Sequence, residues 1–224
     1  YQVPSPGGAS GDAVLLESGV LKPDAEAMKT PPDVWSISAD SFPADECSSD
    51  QLEFLLGYAI LAPSTHNTQP WLFRINPTDV EIFTDPRRTL PVVDPDGRER
   101  VMSAGAALFN LRVAAEYFGH AYRVDVLPDR DHPNLLARLQ LGLRGDTSSE
   151  DVMLFQALTR RRTNRTPYLP DPIPEELVTE MVEAAEHEGA WLVLADTEEA
   201  RAAVADLVAE ADRIQWANRA FRQE

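Results

Sequence analysis

Two stretches carry side chains that could do chemistry. Arg160, Arg161, Arg162, Thr163, Asn164 and Arg165 read "RRRTNR". A guanidinium is a planar fork that donates two hydrogen bonds to one anion, so arginines beside a hydroxyl suit a phosphate. The same run suits a solvated helix end, where late cations favour the helix dipole. Spacing alone leaves both readings open. The second stretch is "LAPSTHNTQPW", Leu61 to Trp71. Its hydroxyls, amides and backbone N–H groups could read the polar edge of a flat ring, although hydrogen-bonding loops that enter a strand are common without any ligand. His66 reads as a loop hydrogen-bonder rather than a general base. Cys47 and Ser64 have no base partner in view, so nucleophilic catalysis has little support. No His, Cys or Asp grouping has metal-ligand spacing, and no metal is expected. Neither a G-x-G-x-x-G nor a P-loop is present.

The elements that must position these stretches can be read in order. Residues 1–48 are rich in Pro, Ser, Gly, Asp and Ala and read as a flexible lead or an arm. Ser48 starts a helix, with Gln51 as its capping-box partner. Leu52, Leu55, Leu56, Ala59 and Ile60 recur at helical spacing until Pro63 stops them. "WLFRI" and "DVEIFTD" follow as strands joined at Asn76-Pro77-Thr78. A long helix is expected from Glu99 to Phe118, with Gly119 as its stop. "YRVDVL" and "RLQLGL" alternate as half-buried strands. Beyond Ser149 come the helix "EDVMLFQALTRR", the extended link "TPYLPDPIP", the helix "EELVTEMVEAAEHEG" ended by Gly189, a strand "WLVLAD", and a final amphipathic helix from Thr197.

The 224 residues can bury a sizeable core as one large domain or two small ones. Apolar residues make up 43% and charged residues 25%, as in ordinary globular chains. Net charge is −17, and only Lys22 and Lys29 are lysines, which points to a salt-adapted or GC-rich source. A chain this acidic repels nucleic acid and anionic membranes, and "RRRTNR" lacks interleaved aromatics, so neither partner is expected. One cysteine fits a reducing compartment, and a cytoplasmic location is expected. No apolar run is long enough to span a bilayer, and no signal peptide opens the chain. The chain begins with Tyr1 instead of Met, which suggests a piece of a longer protein.

A faint repeat runs through the sequence. Twice a helix leads through a loop to a Trp that opens a strand, from Gln51 to Ile75 and from Glu175 to Leu194. The first copy has the polar loop but "FPADECSSD" where arginines would stand. The second has "TRRRTNR" but only "EHEGA" where the polar loop would be. Each copy holds the half-site that the other lacks.

"APSTHNTQPW" followed by a strand resembles the signature loop of the nitroreductase family of FMN flavoproteins. "RRTNR" ahead of a Pro-rich link and a helix is similar to that family's R-R-S-x-R phosphate motif. The loop coming first and the arginines second resembles the duplicated, Acg-like branch, in which one chain imitates the usual homodimer. The resemblance covers residues 49–224, and the loop is its more specific part. It implies an α+β fold, an antiparallel sheet wrapped by helices, built as two pseudo-repeated halves at 49–148 and 149–224. It also implies one FMN where the half-sites meet, in a monomeric pseudo-dimer or a homodimer. Arg161, Thr163 and Arg165 then match the positions that hold phosphate and ribityl chain. Pro63, Ser64, Thr65 and Asn67 match the loop that approaches the flavin, and Trp71 matches a structural Trp. Because the chain stops at Glu224, the second half is expected to be incomplete.

The activity implied is flavin-mediated two-electron reduction with NAD(P)H as donor, in which no side-chain acid or base is required. The alternative is a non-catalytic protein that binds and sequesters FMN under a cover. A module without cofactor is a third reading. For the cover, the arm is a candidate: Pro31, Pro32, Trp35 and Phe42 are large groups that gain by lying on a surface.

Overall fold

The structure, a computed structural model, describes residues 15–17, 37–169 and 171–224. The strand β1 (Leu15–Glu17) is followed by helix α1 (Ser48–Ala59), strands β2 (Trp71–Ile75) and β3 (Asp79–Thr84), and helix α2 (Arg98–Tyr117). Strands β4 (His120–Val126) and β5 (Leu135–Arg144) come next, then helices α3 (Ser149–Arg160), α4 (Glu175–His187) and α5 (Glu198–Ala217). The five strands form one antiparallel sheet in the order β1-β2-β3-β5-β4. An antiparallel sheet with helices against it is the α+β architecture that the sequence implies.

Side-chain alternation sets the sheet's two faces. Trp71, Phe73 and Ile75 on β2 and Val80 and Ile82 on β3 enter the core. On the opposite face Glu81 stands between its cross-strand neighbours Arg74 and Arg138, at 3.1 and 2.6 Å. The turn between β2 and β3 is closed by Asn76, whose N–H donates to the Asp79 carbonyl at 2.8 Å.

Helix α1 buries Leu52, Leu55, Leu56 and Ala59 completely. Its start differs from the capping box expected at Ser48 and Gln51. Cys47 occupies the cap position and makes no capping bond to the backbone. The Gln51 amide donates instead to the carbonyls of Pro43, Ala44 and Glu46, at 3.2, 3.1 and 3.3 Å. Gln51 is buried, and the carbonyls of the preceding turn are the acceptors within its reach.

Helix α2 begins where the Asp94 carboxylate accepts the N–H groups of Glu99 and Arg100. It ends at Gly119, whose φ is +77° and where a Cβ would sit 2.8 Å from the Gly145 carbonyl oxygen. Only glycine meets both conditions. Helices α1 and α2 run antiparallel. Phe54 meets Phe118, the Tyr58 carbonyl meets Asn110, and beyond α1 Thr65 meets Glu99. Helix α3 starts in a true capping box between Ser148 and Asp151. It docks through Phe155, which stacks on Tyr117 with ring centres 3.7 Å apart.

The chain divides into two compact units, 1–163 and 164–224. By compactness α3 therefore goes with the first unit. The expected halves at 49–148 and 149–224 concern a repeat, which compactness does not address. The second unit contains α4 and α5. Residues 191–196, expected as a strand, form no ladder among the described residues. The sequence pattern is strand-like, but a strand exists only where a neighbour completes its hydrogen bonds. Trp191 is 82% exposed there, and α4 and α5 bury no residue. Among the described residues no helix is long and apolar enough to cross a membrane.

Candidate functional site

The polar loop folds on itself through its own side chains. Ser64 O accepts from Asn67 N–H and Thr65 O from Thr68 N–H, both at 3.0 Å. Thr65 O also accepts from the Thr68 hydroxyl at 2.9 Å. The Gln69 N–H donates to Ser64 Oγ at 2.9 Å. Three non-glycine residues here have left-handed backbone, His66 at φ 50°, Asn67 at 56° and Gln69 at 48°. Asn and His tolerate that region better than most residues, whereas Gln is strained in it, and such clustering marks loops shaped for more than connection.

Three supports outside the loop hold this shape. The Thr65 hydroxyl donates to Glu99 Oε2 at 2.6 Å, at the first turn of α2. Arg88 Nη1 donates to the Thr68 carbonyl at 2.8 Å. The Asp85 N–H donates to the Pro70 carbonyl at 2.9 Å, and the buried Asp85 carboxylate accepts from Arg87 N–H and guanidinium. Burial raises the Asp85 pKa, and the hydrogen bonds and charge of Arg87, with the charge of Arg88, more than offset this and hold it below the usual range. Glu99, Arg88 and Asp85 carry no spacing signal in the sequence. They reach the loop only through the antiparallel packing of α1 on α2 and the end of β3.

The arginine motif starts beside this loop. Arg161, the C-terminal cap of α3, donates from Nη2 to the carbonyl of Leu61 at 3.1 Å. Its Nη1 makes a longer, 3.4 Å contact with the Thr163 hydroxyl. Leu61 lies just past the end of α1 and three residues ahead of Ser64, so Arg161 and Thr163 adjoin the loop within the first unit. Arg161 therefore ties the end of α3 to the segment after α1, whatever else its guanidinium meets. A guanidinium has five donors, and one carbonyl and one hydroxyl leave others for a ligand. Arg165 belongs to the second unit and is exposed there. Pro63 and Asn67 are exposed, Ser64 and Thr65 are half-buried, and Trp71 is fully buried.

Phe42 does not lie over the loop. It stacks on Phe118 at 4.1 Å, at the C-terminal end of α2. Glu99 is at the other end, and at 1.5 Å per residue the two ends are roughly 30 Å apart. The rest of the expected cover, Pro31, Pro32 and Trp35, lies outside the described residues. Among the described residues no three His, Cys, Asp or Glu side chains group as metal ligands do.

No family model matches the chain. It is 37% identical over 145 residues to a Mycobacterium tuberculosis protein named "Putative NAD(P)H nitroreductase Rv3131". That match covers 64% of this chain and 42% of the relative, so the chain spans less than half the relative's length. It is 30% identical over 125 residues to "Putative NAD(P)H nitroreductase acg" of the same organism, over 56% of this chain and 38% of that protein. A third M. tuberculosis relative, the uncharacterised protein MT1398, is 30% identical over 220 residues, 93% of this chain and 30% of its own length. Over part of its length, this chain is similar to mycobacterial proteins that carry the nitroreductase name.

Proposed function

We propose that the chain is the FMN-binding part of a nitroreductase-type oxidoreductase, in two pseudo-repeated halves, with NAD(P)H as electron donor. One observation carries the reading. The guanidinium of Arg161 reaches the backbone immediately ahead of the polar loop, so an arginine and a ring-reading loop are neighbours although 100 residues separate them. The similarity to proteins named as NAD(P)H nitroreductases supports it.

The residues fit such a cofactor. Arg161 and Thr163, with Arg165 next in the motif, would hold the phosphate and ribityl chain. Pro63, Ser64, Thr65 and Asn67 would face the ring. FMN, when bound, supplies the redox chemistry by accepting and passing on two electrons. The protein's share is to fix the ring and to keep the hydroxyls and amides of the loop aimed at its polar edge. The sequestering alternative gains nothing from Phe42, which packs elsewhere.

Mixing the chain with FMN and then adding NADH or NADPH anaerobically tests the reading. Saturable flavin binding followed by loss of the flavin's visible absorbance is expected. Binding without bleaching would move the chain to the sequestering class, and absence of binding would end the flavin reading.

A further inference from the structure

The two hydroxyls that lead the polar loop have fixed and opposite polarity. Thr65 spends its only proton on Glu99 Oε2, at the 2.6 Å typical of a hydroxyl bonded to a carboxylate. Its remaining capacity is to accept. Ser64 Oγ accepts the Gln69 N–H, and its own proton has no acceptor among the described residues, so Ser64 is left to donate. Neither assignment depends on a guess about rotor angle, because the partner of each is a pure acceptor or a pure donor.

We propose that Glu99 is a positioning residue that makes Thr65 an obligate acceptor, so that the ligand group meeting Thr65 must be a donor. Resting on the FMN reading, that group is an imide N–H or a ribityl hydroxyl, and not a ring carbonyl. Ser64, as a donor beside it, meets a carbonyl or ring nitrogen. A loop that holds Gln69 in left-handed backbone keeps this donor-acceptor order only while its anchors hold. Glu99 is the anchor that also sets the polarity.

The test compares the full chain with Glu99→Gln, Thr65→Val, Thr65→Ser and the double variant Glu99→Gln/Thr65→Val. Two readouts are used, FMN affinity by flavin fluorescence and amide hydrogen exchange of the segment 62–71. Glu99→Gln replaces a pure acceptor with an amide that can also donate to Thr65, so the fixed polarity of the hydroxyl is lost, and about ten-fold weaker FMN binding is expected, the size of one lost hydrogen bond. Thr65→Val should lose a similar factor and the double variant no more than either, while Thr65→Ser keeps the affinity. An N3-methylated flavin separates the two donors: a loss that matches Thr65→Val assigns the imide N–H, and full affinity assigns a ribityl hydroxyl. If Glu99→Gln speeds exchange in 62–71 but no chain binds flavin, the positioning role stands and the flavin reading fails. Unchanged exchange and unchanged affinity in Glu99→Gln, or fully additive losses in the double variant, would overturn the proposal.

Discussion

The guanidinium of Arg161 donates to the carbonyl oxygen of Leu61 across 3.1 Å, tying the end of α3 to the end of α1. Leu61 lies just past α1, so the guanidinium satisfies a carbonyl of the segment that leads into the polar loop. If the same guanidinium also meets a phosphate, Arg161→Ala should raise the FMN dissociation constant about ten- to hundred-fold, and titration by fluorescence reads it. Arg161→Lys should recover only part of this, since an ammonium cannot present a fork to two acceptors. Unaltered affinity in Arg161→Ala would restrict the residue to that tie.

Phe155 governs where Arg161 stands. It stacks on Tyr117 and tilts against Tyr58, with ring centres 3.7 and 4.7 Å apart. Phe155→Ala should destabilise the first unit by about 3–5 kcal/mol, the usual cost of emptying a packed aromatic site. Chemical denaturation measures it. Because α3 delivers Arg161, flavin affinity should fall in the same variant, whereas substitution of the exposed Met153 on α3 should change neither.

Acid should weaken the fold through His120. The ring is 5% exposed, and no partner meets either nitrogen with full hydrogen-bond geometry among the described residues, the Gly142 backbone making only a weaker contact. Burial holds its pKa below the ordinary 6.5, the Arg144 charge adds to this, and the backbone of Gly142 offsets part of it. The unfolded chain therefore takes up this proton first as pH falls. Stability from His120 is complete above 6.5 and is lost as pH drops from there through the folded value. Denaturation midpoints against pH should show the decline, and His120→Asn should flatten it in that window.

The backbone of Gln69, at φ 48°, invites a direct test of loop strain. Glycine relieves a left-handed position, while adding entropy to the unfolded chain works the other way. Gln69→Gly should leave stability within about 1 kcal/mol of the parent, on the stabilising side. Flavin affinity should nonetheless fall, because the freed loop must be ordered on binding. A large loss of stability would show that Gln69 is held by contacts rather than under strain.

Much of this was legible in the sequence where residue type and spacing act locally. The period of Leu52, Leu55, Leu56 and Ala59, the alternation in "YRVDVL" and the stops at Gly119 and Gly189 all act within a few residues. The capping box at Ser48 was misread because Gln51 had better acceptors in a turn upstream. The strand expected at Trp191 to Asp196 has no ladder among the described residues, because an apolar run such as "WLVLAD" does not say whether a partner strand exists. Both stretches of the candidate site could be read, but Glu99, Arg88 and Asp85 could not, since long-range packing alone brings them to the loop.

If the FMN reading holds, Arg161 and the loop of Ser64, Thr65 and Asn67 serve one flavin. Equilibrium titration of the 224-residue chain with FMN, followed by fluorescence and checked by the flavin absorbance retained after gel filtration, tests it most directly. Saturation at one FMN per chain is expected, with both Arg161→Ala and Thr65→Val weakening the same binding event. No saturable binding, or a site that neither substitution touches, would contradict it.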